Sequence, residues 1–192
     1  MQRLLAAACV LAVALTAGVI APASLAEDDQ QPTPPITTST ARESDIGEFL
    51  LDEIAVARRE TWRWERLMRE PLSHTSRSAE RSNDANHRRW VLKMWNRKAA
   101  RRKQQAQHPP RLASWLCINR FEAPWSDPNA PYYGGLQMDL HFQRTYAPEL
   151  LRQKGTADKW TAIEQIWVAE RAYRAGRGFT PWPNTARCCG LL

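Results

Sequence analysis

Cysteine is scarce in this 192-residue chain: Cys9, Cys117, Cys188 and Cys189 are all it has, no two of them form a C-x-x-C pair, and the last two are adjacent. A zinc site built from them with His141 would need spaced ligands, which neighbouring cysteines do not supply, so no metal and no cofactor is expected. Positive charge is missing from the place where a membrane anchor needs it. The alanine-rich apolar run from Leu4 to Ile20 is barely long enough to span a bilayer, and no basic cluster comes after it to stop transfer. With Arg3 ahead of it and small residues from Ala21 to Ala26 behind, the run reads as a secretory signal peptide over residues 1–26 that takes Cys9 with it when cleaved. The expected protein is therefore secreted.

The chain does have basic charge, unevenly placed. The whole sequence carries +7, yet Arg58 to Lys103 alone holds fifteen Lys or Arg against five Asp or Glu. An exported protein seldom meets nucleic acid, so no nucleic-acid partner is expected; anionic wall polymers or a membrane surface are the acidic partners this stretch would find. Of the cysteines left after cleavage, an odd three predict one disulfide and one spare thiol in an oxidising compartment. Joining Cys117 to either member of the C-terminal pair closes a loop of roughly 70 residues, worth about 4 kcal/mol on the chain-entropy estimate.

Residues 27–40, with their prolines and threonines, read as a disordered linker. From the Thr40 to Glu43 capping box onward, Ile46, Leu50, Ile54, Ala57, Trp64 and Met68 recur at helical spacing until Pro71. A polar break leads to a second helical run through Trp90, Val91, Met94 and Trp95, ended by Pro109 and Pro110. Residues 41–107 thus read as a basic arm of two helices arranged as a hairpin. Trp62, Trp64, Trp90 and Trp95 are expected to pack it while the arginine-rich face stays solvated.

Residues 108–192 have a different texture. Trp115, Leu116 and Ile118 mark a short helix, and Tyr132 to Met138 reads as a short strand bent by Gly134 and Gly135. Phe142 to Leu151 suggests a helix, and a clearer one starts near Thr156 or Ala157 and runs to Gly176. The fold class expected is α+β, mainly α: a small helical domain with a minor β-hairpin, preceded by the basic arm.

One carboxyl stands in a setting that suits acid chemistry. Glu122 lies between Phe121 and Ala123, with Ile118, Pro124 and Trp125 close in sequence and no base nearer than Arg120. Cleaving a glycosidic bond needs a proton donor kept protonated by an apolar pocket. The plainer account of Glu122 is a surface carboxylate at a helix end.

The series Trp115-Leu116-Cys117-Ile118, Glu122, Trp125, Tyr133-Gly134-Gly135-Leu136-Gln137, Gln165 to Arg171 and Trp182-Pro183 resembles the catalytic domain of the resuscitation-promoting factors. It is also similar to related transglycosylase-like domains of the lysozyme superfamily, over residues 111–190. The resemblance implies a compact lysozyme-like fold with Glu122 as catalytic acid and a disulfide between Cys117 and Cys189, leaving Cys188 spare. It implies that the Tyr-Gly-Gly-Leu-Gln segment lines the sugar cleft, so that Tyr133 and Gln137 contact substrate. The pattern departs from the family on both sides of the glutamate. Family members usually carry it directly after the cysteine and before Ser-Gly-Gly, whereas four residues separate Cys117 from Glu122 here and Ala123-Pro124 comes next.

Trp125 and Trp182 are candidates for stacking on sugar rings, with a core role as the alternative. A hydrolase needs a second carboxylate across the bond, while a lytic transglycosylase uses one acid and the sugar's own hydroxyl. Asp127, before Pro128, and Asp139, after the strand, both suit structural roles, so the single-glutamate chemistry leads. Glu164 and Glu170 read as helix-surface and salt-bridge residues. The function expected is cleavage of peptidoglycan glycan strands at the muramic acid to glucosamine linkage by a wall-associated monomer. The alternatives are a wall-binding or signalling module without turnover, or a protein whose working part is the basic arm.

Overall fold

A computed structural model describes residues 37–192; the signal peptide expected over 1–26 and residues 27–36 of the linker lie outside the described residues. Helix α1 spans Thr37–Met68, so the linker expected to reach residue 40 gives way to helix earlier. It stops before Pro71 through a left-handed residue: Arg69 has φ 56°, and the Glu70 N–H returns 2.8 Å to the carbonyl of Glu65. After a short α2 (Arg77–Arg81), helix α3 spans Ala85–Ala106, and the Asp84 side chain caps its start by accepting from the Asn86 N–H.

The two long helices are not a hairpin. Ile54 and Ala57 pack with Val91 and Trp95, Trp62 meets Trp95 edge to face at 6.5 Å, and Arg102 pairs with Glu65 at 3.1 Å. The contacts advance together along both helices, which therefore run parallel. The segment between them returns along α1, pinned where Trp62 donates to the Ser73 carbonyl at 2.7 Å and Glu65 accepts from the Ser73 N–H and hydroxyl. Glu65 is fully buried; burial alone would raise its pKa, but the bonds from Ser73 and the Arg102 guanidinium outweigh that and hold the carboxyl below its ordinary range. Trp64 and Trp95 are buried as expected, whereas Trp90 stands 59% exposed.

The parallel arrangement brings the C-terminal ends of α1 and α3 to the same place, where they dock on the rest of the chain. Trp64, Leu67, Met68 and Ala106 form one cluster with Trp167. The arm and the C-terminal helices accordingly belong to one compact unit.

The C-terminal part is mainly helical with a two-stranded antiparallel sheet. It runs α4 (Leu112–Phe121), β1 (Tyr132–Tyr133), β2 (Met138–Asp139), α5 (Leu140–Tyr146), α6 (Pro148–Lys154), α7 (Ala162–Ala172) and α8 (Pro183–Cys188). The strand expected over Tyr132 to Met138 is a tight hairpin pairing Tyr132 with Asp139 and Tyr133 with Met138. The helix expected from Phe142 to Leu151 breaks at Ala147, which leaves helical geometry ahead of Pro148. The helix expected from residue 156 or 157 begins later: a 3-10 turn covers Ala157–Lys159, and Thr161 with Glu164 forms a capping box that starts α7. α7 is the central element, buried without interruption from Glu164 to Glu170, with Trp115, Ile118, Leu136, Ile166 and Trp182 packed in the core around it.

Candidate functional site

The region around Glu122 is built from α4, α8 and the hairpin. Cys117 on α4 is bonded to Cys189, just past the end of α8, which ties the two helices together; Cys188 is free and exposed. Glu122 closes α4, its backbone N–H reaching the carbonyls of Ile118 and Asn119. Its half-buried side chain accepts a hydrogen bond at Oε1 from the Thr185 hydroxyl of α8, 2.7 Å away. Oε2 meets no protein partner among the described residues.

Asn119 connects this corner to the hairpin. Its Nδ2 donates to the Ala123 carbonyl at 2.8 Å and to the Gly135 carbonyl at 2.9 Å, so the chain just after Glu122 and the glycine turn share one amide. A side chain at Gly135 would collide with Asn119 and with the Trp125 ring, which explains why glycine is needed there. Gln165 of α7 fixes the other side of the turn. Its Oε1 accepts from the Gly135 N–H at 2.8 Å, and its Nε2 lies within hydrogen-bond reach of the Trp125, Ala157 and Trp160 carbonyls.

A groove of about 240 Å³ borders the hairpin and contains Tyr132, Gln137, Asp139, His141, Arg177 and Trp182 in its lining. The residues expected to contact sugar are thus divided. Gln137 and Trp182 line this groove, while Glu122, Trp125 and Tyr133 do not. Trp182 is only 4% exposed, its indole N–H donates to the Leu136 carbonyl, and its ring packs edge-on against Trp115 and Phe142. Its ring is thus packed into the core, with only its edge of the groove left to a ligand. Trp125 is half-buried against the core, and Tyr133 likewise. Gln137 takes φ 47° and donates to Asp127 Oδ2 at 2.8 Å.

Both candidate second carboxylates serve the fold. Asp127 accepts from Asn129 and Gln137, and Asp139 caps α5 by accepting from the Phe142 N–H at 2.6 Å. The surface reading of Glu164 and Glu170 is overturned, because α7 is enclosed on every side: they are 4% and 0% exposed. Their salt-bridge role stands. Glu164 takes Lys154 at 2.6 Å, and Glu170 takes Arg111 and the Trp115 indole N–H. For Glu164, burial would raise the pKa, but Lys154 and the Thr161 cap hold it lower. Asn119 and Thr185 join the site without any sequence motif that marks them for it, while Gln165 opens one of the segments that carry the resemblance but had no role assigned to it. Thr185 has only its nearness to the Trp182-Pro183 pair as a signal. Among the described residues, no three His, Cys, Asp or Glu side chains gather as a metal site would require.

Compared with known proteins, the chain matches no family model, no curated protein and no solved structure.

Proposed function

We propose that the C-terminal part is a lysozyme-like domain that cleaves the glycan strands of peptidoglycan at the muramic acid to glucosamine linkage, with Glu122 as general acid. The observation that carries this reading is the Thr185 to Glu122 bond. With Oε1 held by a hydroxyl on a disulfide-tied helix, the carboxyl is oriented and Oε2 is left without a protein partner, free to face a sugar oxygen. In the reaction, Oε2 gives its proton to the glycosidic oxygen as the anomeric C–O bond breaks. A hydroxyl of the same muramic residue then attacks the anomeric carbon, and the Glu122 carboxylate takes its proton back. The engagement of Asp127 and Asp139 in caps and turns favours this one-carboxylate, lytic transglycosylase course over hydrolysis by paired acids.

The solvated face of α3 complements the reading. Exposed Trp90 stands with Lys93, Arg97, Lys98 and Arg101 around a shallow groove of about 450 Å³, a surface suited to anionic wall polymer and to keeping an exported monomer on the wall.

The test is zymography on purified wall with the wild type and Glu122→Gln, with mass analysis of the released sugars. Anhydro-muramic products lost in the variant are expected. Equal fragment release by both proteins would remove the catalytic assignment, and reducing ends in place of anhydro ends would replace the transglycosylase course with hydrolysis.

A further inference from the structure

A third groove, of about 660 Å³, lies between the end of α1, α6 and α7 and includes no residue of the Glu122 region. Its volume is in the range of sites that enclose small organic ligands, roughly 300–1,000 Å³. Five cations and three carboxylates line it. Several of these charges already answer one another. Lys154 is paired with Glu164, Glu70 is paired with Arg102 from α3, and Arg63 is paired with Glu60 at 3.7 Å. Left over from carboxylate pairing are Arg66, Arg69 and Arg171 against Glu149, Arg66 lying over the Trp62 ring and Arg69 reaching the Tyr146 carbonyl at 3.4 Å. Among the described residues, neither Arg66 nor Arg69 has a carboxylate within ion-pair distance.

Two further features single these residues out. Arg69 occupies the left-handed position that ends α1, with φ 56°, where glycine is the residue of least cost. Keeping an arginine there sets a guanidinium at the groove edge at the expense of backbone strain. Arg171 is largely spent on carbonyls, donating to Tyr146, Arg66 and Leu67, yet its Nε is buried without a partner. Burial, and then the neighbouring charge of Arg69, lower its pKa to about 10 against the opposing pull of Glu149. The cation excess is one that the chain's own carboxylates do not offset.

We propose that this groove binds an anionic ligand with clustered phosphate or carboxylate oxygens, held by Arg66 and Arg69 in front of the buried Arg171 charge, with its carbon skeleton against Leu67 and Leu150. Guanidinium forks suit such oxygens because two parallel N–H groups can meet two oxygens at once. The ligand comes either free, as a small phosphorylated or polycarboxylate compound, or as one unit of an anionic wall polymer.

Calorimetric titration of the full chain with inorganic pyrophosphate, citrate and a short glycerol-phosphate oligomer tests this. Saturable binding of at least one probe is expected; pyrophosphate or citrate binding identifies a free anion, and binding of the oligomer alone identifies polymer. Arg69→Gly, which relieves the backbone, should weaken binding about tenfold without lowering the thermal midpoint, and Arg66→Gln should act in the same direction. A double variant on the α3 face, Lys98→Gln with Arg101→Gln, removes more charge but should leave pyrophosphate and citrate binding unchanged, as should Glu122→Gln. The proposal is overturned if no probe binds, if Arg69→Gly and Arg66→Gln bind like wild type, or if the α3 variant loses as much as they do.

Discussion

Trp167 of α7 donates its indole N–H to the carbonyl of Ala106, the last residue of α3, at 2.7 Å. That bond and the Trp64, Leu67 and Met68 cluster around the ring hold the arm to the C-terminal part, together with the Arg171 bonds to the Arg66 and Leu67 carbonyls. Trp167→Ala removes both the buried ring and the bond. A loss of about 3–5 kcal/mol is expected in denaturant unfolding, together with faster proteolysis between residues 69 and 111. An unchanged midpoint and an unchanged cleavage pattern would show that the arm is secured by other contacts.

The Thr185 hydroxyl orients Glu122 and can be removed with little change of shape. Thr185→Val should lower the rate of glycan release about tenfold, the size of one lost hydrogen bond to a reacting group, while leaving the thermal midpoint nearly unmoved. Thr185→Ser, which keeps the hydroxyl, should restore most of the rate. If valine and serine variants release fragments at the same speed, the bond has no part in the reaction.

Acid should destabilise the fold in a definite window. Glu65 and Glu164 both titrate below the ordinary value of 4.5, because the bonds from Ser73 and Arg102, and from Lys154 and Thr161, outweigh the effect of burial. Their stabilisation is complete above 4.5 and is lost as pH falls through the lowered folded values. Thermal midpoints measured from neutral pH downward should hold steady and then drop below about pH 4.5, and Glu164→Gln should flatten part of that drop. A midpoint that falls already between about pH 7 and 5 would implicate other groups.

Reduction is expected to act through one bond. Cys117→Ser, or a reductant, opens a loop spanning 72 positions and should cost about 4 kcal/mol. It should also loosen Thr185 from Glu122, since α8 is tied to α4 there. Cys188→Ser should change neither stability nor glycan release.

Much of the helical architecture could be read from local pattern. Leu50, Ile54, Ala57, Trp64 and Met68 do form the buried stripe that their spacing predicts, though Ile46 of the same series is 40% exposed, and the cysteine pairing agrees with the resemblance. Features that depend on distant partners could not be read in this way. Spacing shows which face of a helix is apolar, not the direction of its neighbour, so the parallel course of α1 and α3 rests on Trp62 meeting Trp95 and Glu65 meeting Arg102. Glu164 and Glu170 look like ordinary surface acids because the cations that let them be buried, Lys154 and Arg111, come from other elements. Thr185 lies 63 positions from Glu122, and no local rule links a threonine to a carboxyl that far away. Trp182 has the composition of a binding residue but a core position, a distinction made only by Trp115 and Phe142 against its ring.

Two helices pointing the same way place their electron-rich ends side by side, an arrangement that would repel itself if left bare. Here the Arg171 guanidinium grips the exposed carbonyls of Arg66 and Leu67, and the Trp167 indole grips that of Ala106. Both clamps sit on α7, the same helix whose Gln165 amide steadies the hairpin. The consequence is geometric: the far end of α3 is joined to α7 through helices packed and bonded at their root, not through a free linker. Whatever surface that far end grips, the hairpin stands off from it by a length set by folded helices, and lengthening the chain upstream of α1 would not change that reach.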